Sequence, residues 1–357
     1  MRICYFGLYF PDYIRNLVIR KGLKHHGIEV VVCRASPYLK RSQIFRTLWW
    51  AFRRIEGELD AILVAESSQL AVPLAWYFAR AKGVPLIFDP FISLYDTNVL
   101  DRRLIREGSL KARMYYWLDR ISMALADYLL ADTEQHRDYY VSALRIKRDR
   151  IFVVPVGTDE TLYYPRPYTN IGRFLVLFWG KFIPLHGIEY ILEATKILQD
   201  NGAEIELDLI GSGQTFEEMV SLADSLELTR VNFIGFVQLN ELPMLMAKAD
   251  ICLGIFGHSE KAKRVVPNKV YAGMAMRKPV ITGDSPAIRA QFGNRRHLYI
   301  VPMANAQALA DGIAELAQDE QLRERIAQEG YELFCAKYTV TKIGERVKEV
   351  LHKVLVG

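Results

Sequence analysis

A lysine, a histidine and a series of glycine turns stand in this chain where they could hold an anion. In Phe178-Trp179-Gly180-Lys181-Phe182-Ile183-Pro184-Leu185-His186-Gly187-Ile188 an apolar run stops at a glycine, crosses a loop with two basic side chains and restarts as a helix. Backbone N–H groups and the helix dipole at such a turn favour an anion, and Lys181 and His186 can add charge. Leu209-Ile210-Gly211-Ser212-Gly213 repeats the glycine turn, and Phe233-Ile234-Gly235-Phe236-Val237 ends another apolar run. Further on, the run Lys261, Lys263, Arg264 leads through Val266-Pro267-Asn268-Lys269 into a helical pattern containing Ala272. Arg264 reads either as an anion partner or as part of a solvated basic run. In the first half, Gly7 closes the first apolar run and leaves room for a close backbone approach. Asp89 ends the fourth run, either as a polar group in a cleft or as the cap of the next turn. His136, which opens a helix after the fifth, reads either as a cleft residue or as a satisfied structural imidazole.

The elements that must position these residues are twelve short apolar runs in two sets of six. The first set is Ile3 to Phe6, Ile28 to Cys33, Ala61 to Ala65, Pro85 to Asp89, Tyr128 to Ala131 and Ile151 to Val156. The second is Phe174 to Trp179, Ile205 to Ile210, Val231 to Phe236, Ile251 to Phe256, Pro279 to Thr282 and Leu298 to Val301. Their β-branched and aromatic content, with helical patterns such as Ile188 to Gln199 and Thr215 to Leu226 between them, predicts buried parallel strands. Two doubly wound α/β domains in tandem follow, divided near Gly157 to Arg173. In such sheets ligands bind beyond the carboxyl ends of the strands, so a cleft between two of them is the expected site.

Composition narrows the class. At 357 residues, 51% hydrophobic and 24% charged, the chain has room for two full cores and reads as a cytoplasmic globular protein. Pro11 and Asp12 interrupt the first apolar run, which suits a strand better than a signal peptide, and Leu70 to Ala79 is half the length of a spanning helix. Cys4, Cys33, Cys252 and Cys335 lack metal-ligand spacing and read as buried free thiols, and no Asp-x-Asp pair near a strand end marks a metal-held diphosphate. The net charge of +5 is amino-terminal: residues 1–165 hold 24 Lys and Arg against 18 Asp and Glu. Lys40, Arg41, Arg46, Arg53 and Arg54 interleave with Ile44, Phe45, Leu48, Trp49, Trp50 and Phe52, and Arg102, Arg103, Arg106, Lys111 and Arg113 adjoin Met114, Tyr115, Tyr116 and Trp117. These clusters suit the headgroup layer of an anionic membrane, or else helices that pack aromatics on the sheet and solvate their charges. No nucleic-acid recognition module accompanies them.

In this order and spacing, the turns at Gly180, Gly211 and Gly235, the segment Gly257 to Ala275 and Lys278-Pro279-Val280-Ile281-Thr282 resemble the family-four glycosyltransferases. These are retaining enzymes of the GT-B fold that use nucleotide-sugar donors. Val154-Pro155-Val156-Gly157-Thr158-Asp159 and Ala131-Asp132-Thr133-Glu134-Gln135-His136 extend the resemblance into the first half. It implies an acceptor-binding domain over 1–165, a donor-binding domain over 166–338, and a last helix in 339–357, Val340 to Leu355, that crosses back to the first domain. It also implies front-face transfer, in which a donor phosphate oxygen helps take the acceptor proton while the diphosphate leaves. The protein then has to stabilise that charge and hold two sugars in line. Cations and backbone amides can do so without a metal; no cofactor is implied beyond a UDP- or GDP-linked sugar as co-substrate.

The chain also departs from the family pattern. Lys181 stands where an arginine is common, and His186 where a lysine is common, which makes the second cation pH-sensitive. Of the family's two glutamates with seven residues between them, the first falls at Arg264 and the second, which grips the ribose, at Ala272. Amides around Val266 to Lys269 then face the donor, and Gly235 to Val237 hold the base through main-chain groups. A cleft histidine common in the family falls at Phe91, leaving Asp89 or His136 to take a polar role. The expected function is transfer of a sugar to a lipid-linked saccharide or cell-envelope glycan, with donor binding weakened by Ala272. A nucleotide-sugar epimerase, or a degenerate nucleotide-binding protein without turnover, are the alternatives.

Overall fold

The structure, a computed structural model, describes residues 1–168 and 172–356; Gly357 and positions 169–171, inside the expected dividing stretch, lie outside the described residues. The chain forms two compact units, Met1–Asp159 with Tyr338–Gly357, and Glu160–Lys337. Each is built on six parallel strands.

In the first unit the strands are β1 (Arg2–Leu8), β2 (Glu29–Ala35), β3 (Ala61–Val64), β4 (Leu86–Phe88), β5 (Tyr128–Ala131) and β6 (Ile151–Val153), in the order β2-β1-β3-β4-β5-β6. Side chains alternate across a strand, so both faces must be covered if every residue is apolar. Cys4, Phe6, Ile62, Val64, Leu86, Phe88, Leu129 and Ala131 meet the helices Arg41–Arg53, Val72–Lys82, Leu110–Leu125 and Glu134–Leu144 on one face. Ile3, Tyr5, Ala61, Leu63, Ile87 and Leu130 meet Ile14–His25 and the last helix, Val340–Val356, on the other. These two helices cross backbone to backbone: a Cβ on Gly344 would lie 2.4 Å from the Cα of Gly22. β1 leads out to β2 on one side and β3 returns on the other, so the order reverses between β1 and β3.

The second unit contains β7 (Phe174–Trp179), β8 (Ile205–Ile210), β9 (Val231–Ile234), β10 (Ile251–Leu253), β11 (Val280–Gly283) and β12 (Tyr299–Val301), in the order β12-β11-β10-β7-β8-β9. Here the reversal falls between β7 and β10. Ile188, Ile191, Leu192 and Leu198 recur at helical spacing in Ile188–Asp200, and they pack with Leu309, Ile313 and Leu316 against Val176, Phe178 and Leu207. Among the described residues no helix is long and apolar enough to cross a membrane. Cys4, Cys33 and Cys252 are buried, but Cys335 is exposed on the helix Glu320–Lys337, contrary to the expectation of four buried thiols.

Candidate active site

The turns that leave β7 and β8 are built from glycines that only a bare backbone can occupy. Gly180, the first residue after β7, has φ +139°, and a Cβ there would come within 2.8 Å of Lys269 Nζ. Gly211, after β8, presses on it so closely that a Cβ would lie 2.0 Å from the Gly180 carbonyl oxygen. Phe182 N–H donates to the Ser212 carbonyl at 2.9 Å and Thr215 N–H to that of Phe182 at 3.1 Å, so Gly213 and the loop of Lys181 are zipped together.

Into this corner the helix Asn268–Ala275 sends Lys269 from its first turn. The side chain is only 5% exposed, its ammonium lying 4.7 Å over the Phe178 ring and 3.1 Å from His186 Nε2. Among the described residues no carboxylate pairs with it, and burial pushes its pKa down to about 7. The His186 tautomer follows from its neighbours. Nδ1 meets the Lys181 carbonyl oxygen, which can only accept, so Nδ1 carries the proton and Nε2 accepts from Lys269. Burial, and next the Lys269 charge, hold this imidazole well below its usual range, with Lys261 and Lys181 acting in the same direction. The expected pH-sensitive cation at position 186 is therefore corrected to a neutral acceptor that seats a lysine from elsewhere in the unit. Lys181 is exposed. The arrangement concentrates positive charge beside the glycine turn, which suits an anion such as a diphosphate.

The other expected donor-side residues stand around this corner. Val266 is buried, with Pro267 and Asn268 half-buried at the start of the helix that carries Lys269. Ala272 lies one turn further along it and is buried. Arg264 is half-buried in the loop after β10, its N–H donating to the Lys261 carbonyl. Gly235 and Phe236 are exposed after β9, Phe236 by 87%, and Val237 is half-buried.

In the first unit the structure departs from expectation. The space a Cβ would take at Gly7 is filled by Ser68 Oγ, 2.5 Å away, which also accepts from Leu8 N–H. Gly7 thus makes room for Ser68 rather than for a ligand on that side. Asp89 is fully buried and bound by Arg15, with Nε to Oδ2 at 2.7 Å and Nη2 to Oδ1 at 3.3 Å. Arg15 Nη1 also donates to the Val154 and Pro155 carbonyls, so the pair ties β4 and β6 to the first helix. Desolvation raises the Asp89 pKa against the pull of Arg15. Asp89 is a structural anion, not a free cleft carboxylate.

His136 is buried, its Nδ1 paired with Asp132 and its ring stacked on Tyr140 at 5.9 Å. Phe91 has φ +57° and lies 5.9 Å from the Arg15 guanidinium. Sequence reasoning missed Arg15, Asn16, Glu66 and Asp132. Tyr5 OH donates to Asn16 Oδ1 at 2.9 Å, and Asn16 Nδ2 donates to Glu66 Oε1 at 3.2 Å. The available signal was a carboxylate following strands β3, β4 and β5 in turn: Glu66, Asp89 and Asp132.

Comparison with known proteins gives the family. The profile of Glycosyl transferases group 1 matches residues 167–333, and that of the Glycosyl transferase 4-like domain matches residues 15–157. The chain belongs to the family-four type of glycosyltransferase. It is 21% identical over 328 residues to alpha-D-kanosaminyltransferase of Streptomyces kanamyceticus, covering 86% of this chain and 82% of that protein. It is 26% identical over 306 residues to phosphatidyl-myo-inositol mannosyltransferase of Mycobacterium leprae, covering 84% and 75%. In fold it is similar to Anabaena HepE, solved in complex with UDP, with a TM-score of 0.74 at 17% identity over 99% of this chain and 100% of that one. A glycosyltransferase must stabilise the charge that builds on its leaving group. Among the described residues no group of three or more His, Cys, Asp or Glu side chains converges to hold a metal ion.

Proposed function

We propose that this glycosyltransferase moves a sugar, with retention, from a UDP- or GDP-linked donor to a lipid-linked saccharide or other cell-envelope glycan, without a metal ion. One observation carries the reading: a buried lysine without a counter-ion, held by a neutral histidine against the glycine turn at the strand-order reversal of the second unit. Burying an ammonium without an anion is costly, and a bound diphosphate removes that cost. The diphosphate lies against the Gly180 turn, where Lys269 and the exposed Lys181 offset its charge. As the bond from the anomeric carbon to the diphosphate oxygen breaks, that charge grows and these cations bind it more strongly. The acceptor oxygen forms the new bond on the same face, and its proton passes to a donor phosphate oxygen.

The first unit takes the acceptor. Its buried Arg15, Asp89, Asn16 and Glu66 network keeps the strand ends rigid rather than contacting the sugar. The UDP complex of HepE supports a uridine nucleotide as the first donor to try, and the name of the mycobacterial relative supports an acceptor on a lipid at a membrane surface. A reading without turnover is favoured by Ala272 and Arg264 in place of the two expected glutamates and by Phe91 in place of the cleft histidine. Incubation with UDP- and GDP-sugars in excess chelator, with release of nucleoside diphosphate as the readout, separates the two. Release of either diphosphate supports transferase chemistry, and binding without release across a panel of donors and acceptors contradicts it.

A further inference from the structure

The helix Leu110–Leu125 buries two polar residues and leaves several large apolar ones exposed. Asp119 and Ser122 are buried with Ala112 and Met123. The Asp119 carboxylate accepts from the backbone N–H of Leu94 at 3.0 Å and of Tyr95 at 2.9 Å, from Ser93 Oγ at 2.8 Å and from Gln69 Nε2 at 3.3 Å. That network fixes the rotation of the helix. The opposite face then presents Leu110, Met114, Trp117 and Ile121, a stripe at i, i+4, i+7 and i+11, with exposures of 84%, 47%, 50% and 50%. Tyr115 and Tyr116 are half-buried, so only part of the aromatic cluster expected from the sequence faces outward.

The charges beside this stripe are mostly positive. In the segment 100–121 the cations are Arg102, Arg103, Arg106, Lys111, Arg113 and Arg120, while Asp101 and Asp119 are buried and Glu107 is the exposed acid. Arg120 lies over the Trp117 ring at 5.2 Å, and Leu100 and Leu104 are exposed just upstream. The same helical layer carries Trp50 and Phe45 of Arg41–Arg53 and Tyr77 of Val72–Lys82 on its outer side, with Trp49 stacked on Tyr77.

We infer that this helical layer, led by the Leu110–Ile121 stripe, docks on an anionic lipid bilayer, the apolar side chains entering the headgroup boundary and the arginines lying among the lipid phosphates. An apolar stripe edged by cations is what such a surface binds. A second copy of the chain fits poorly, because two-fold pairing of the stripe would set Lys111, Arg113 and Arg120 against their own copies. The inference rests on the lipid-linked reading of the acceptor and names the face that brings the enzyme to it.

The test is flotation of the full-length protein with vesicles of phosphatidylcholine alone, or with 30% phosphatidylglycerol (about a third anionic lipid), together with tryptophan quenching by brominated lipid. The protein floats with the anionic vesicles, its tryptophan emission is quenched there, and high salt releases it. Arg113→Gln with Arg120→Gln lowers the partition coefficient roughly 25-fold, at about fivefold per charge. Leu110→Ser with Trp117→Ser removes most of the quenching. Quenching of the unaltered protein keeps the test valid whatever the variants do. Equal partitioning into both vesicles, no partitioning into either, or a dimer in solution that Trp117→Ser converts to monomer would overturn the inference. Calorimetry with uridine diphosphate in the absence of vesicles reports on the donor site separately, so that reading and this one can fail independently.

Discussion

Lys269→Met tests the donor corner without disturbing its packing, since methionine keeps the buried stem and removes the ammonium. In the free protein burial holds the Lys269 pKa at about 7. A diphosphate seated against the ammonium favours its charged form and returns its pKa toward the ordinary lysine range. At pH 8, about a tenth of the free protein carries the proton, so binding takes up about nine-tenths of a proton. Uridine diphosphate affinity is then full below pH 7 and falls about tenfold per unit as pH rises above it. The assay is isothermal titration at pH 8 in two buffers of different ionisation enthalpy, where the difference in apparent heat gives the protons taken up. Lys269→Met binds more weakly by about 1.5 to 3 kcal/mol, roughly ten- to a hundredfold, and its binding heat does not depend on buffer. Binding of uridine diphosphate to the unaltered protein without proton uptake would refute the assignment, as would uptake that persists in Lys269→Met, which would move the titrating group elsewhere, with His186 the first suspect.

Other consequences are open to direct measurement. Ala272→Glu places a carboxylate one turn from Lys269 at i, i+3; it tightens donor binding by about ten- to a hundredfold through the ribose, and by pairing with the ammonium it reduces proton uptake at pH 8, both read by the same titrations. In the ligand-free protein the depressed Lys269 pKa makes the unfolded state bind more protons between about pH 7 and 10. Stability therefore rises with pH across that window, and denaturant titrations of Lys269→Met show this component gone. Asp89→Ala leaves Arg15 buried without its anion and costs about 3 to 5 kcal/mol of stability, measured by thermal and denaturant unfolding. Gly344→Ala drives a methyl group into the backbone of Gly22 and costs roughly 1 to 3 kcal/mol in the same assays.

Much of the architecture was legible because strands buried on both faces must be apolar throughout. Ile3 to Phe6 and Phe174 to Trp179 have no other stable place, and all twelve expected runs are strands. The glycines at 180, 211 and 213 were legible as turns because the sequence breaks from apolar run to helix there. What could not be read was the partner of each polar residue. Asp89 is a strand-end carboxylate whether it faces solvent or Arg15, and those two residues are 74 positions apart. Lys269 lies 83 positions from His186, so only the fold reveals that the expected cation at 186 is a neutral seat for another. Helix rotation was equally hidden: the pattern around Met114 to Trp117 is apolar, and it took the Asp119 hydrogen bonds to show which side faces out.

The most direct test of the account is a crystal structure of the protein with uridine diphosphate, grown in chelator. The account predicts the diphosphate against the Gly180 turn, with a phosphate oxygen about 3 Å from Lys269 Nζ and no metal bridging it. A nucleotide bound elsewhere in the second unit, or one that enters only with a divalent ion, would contradict it.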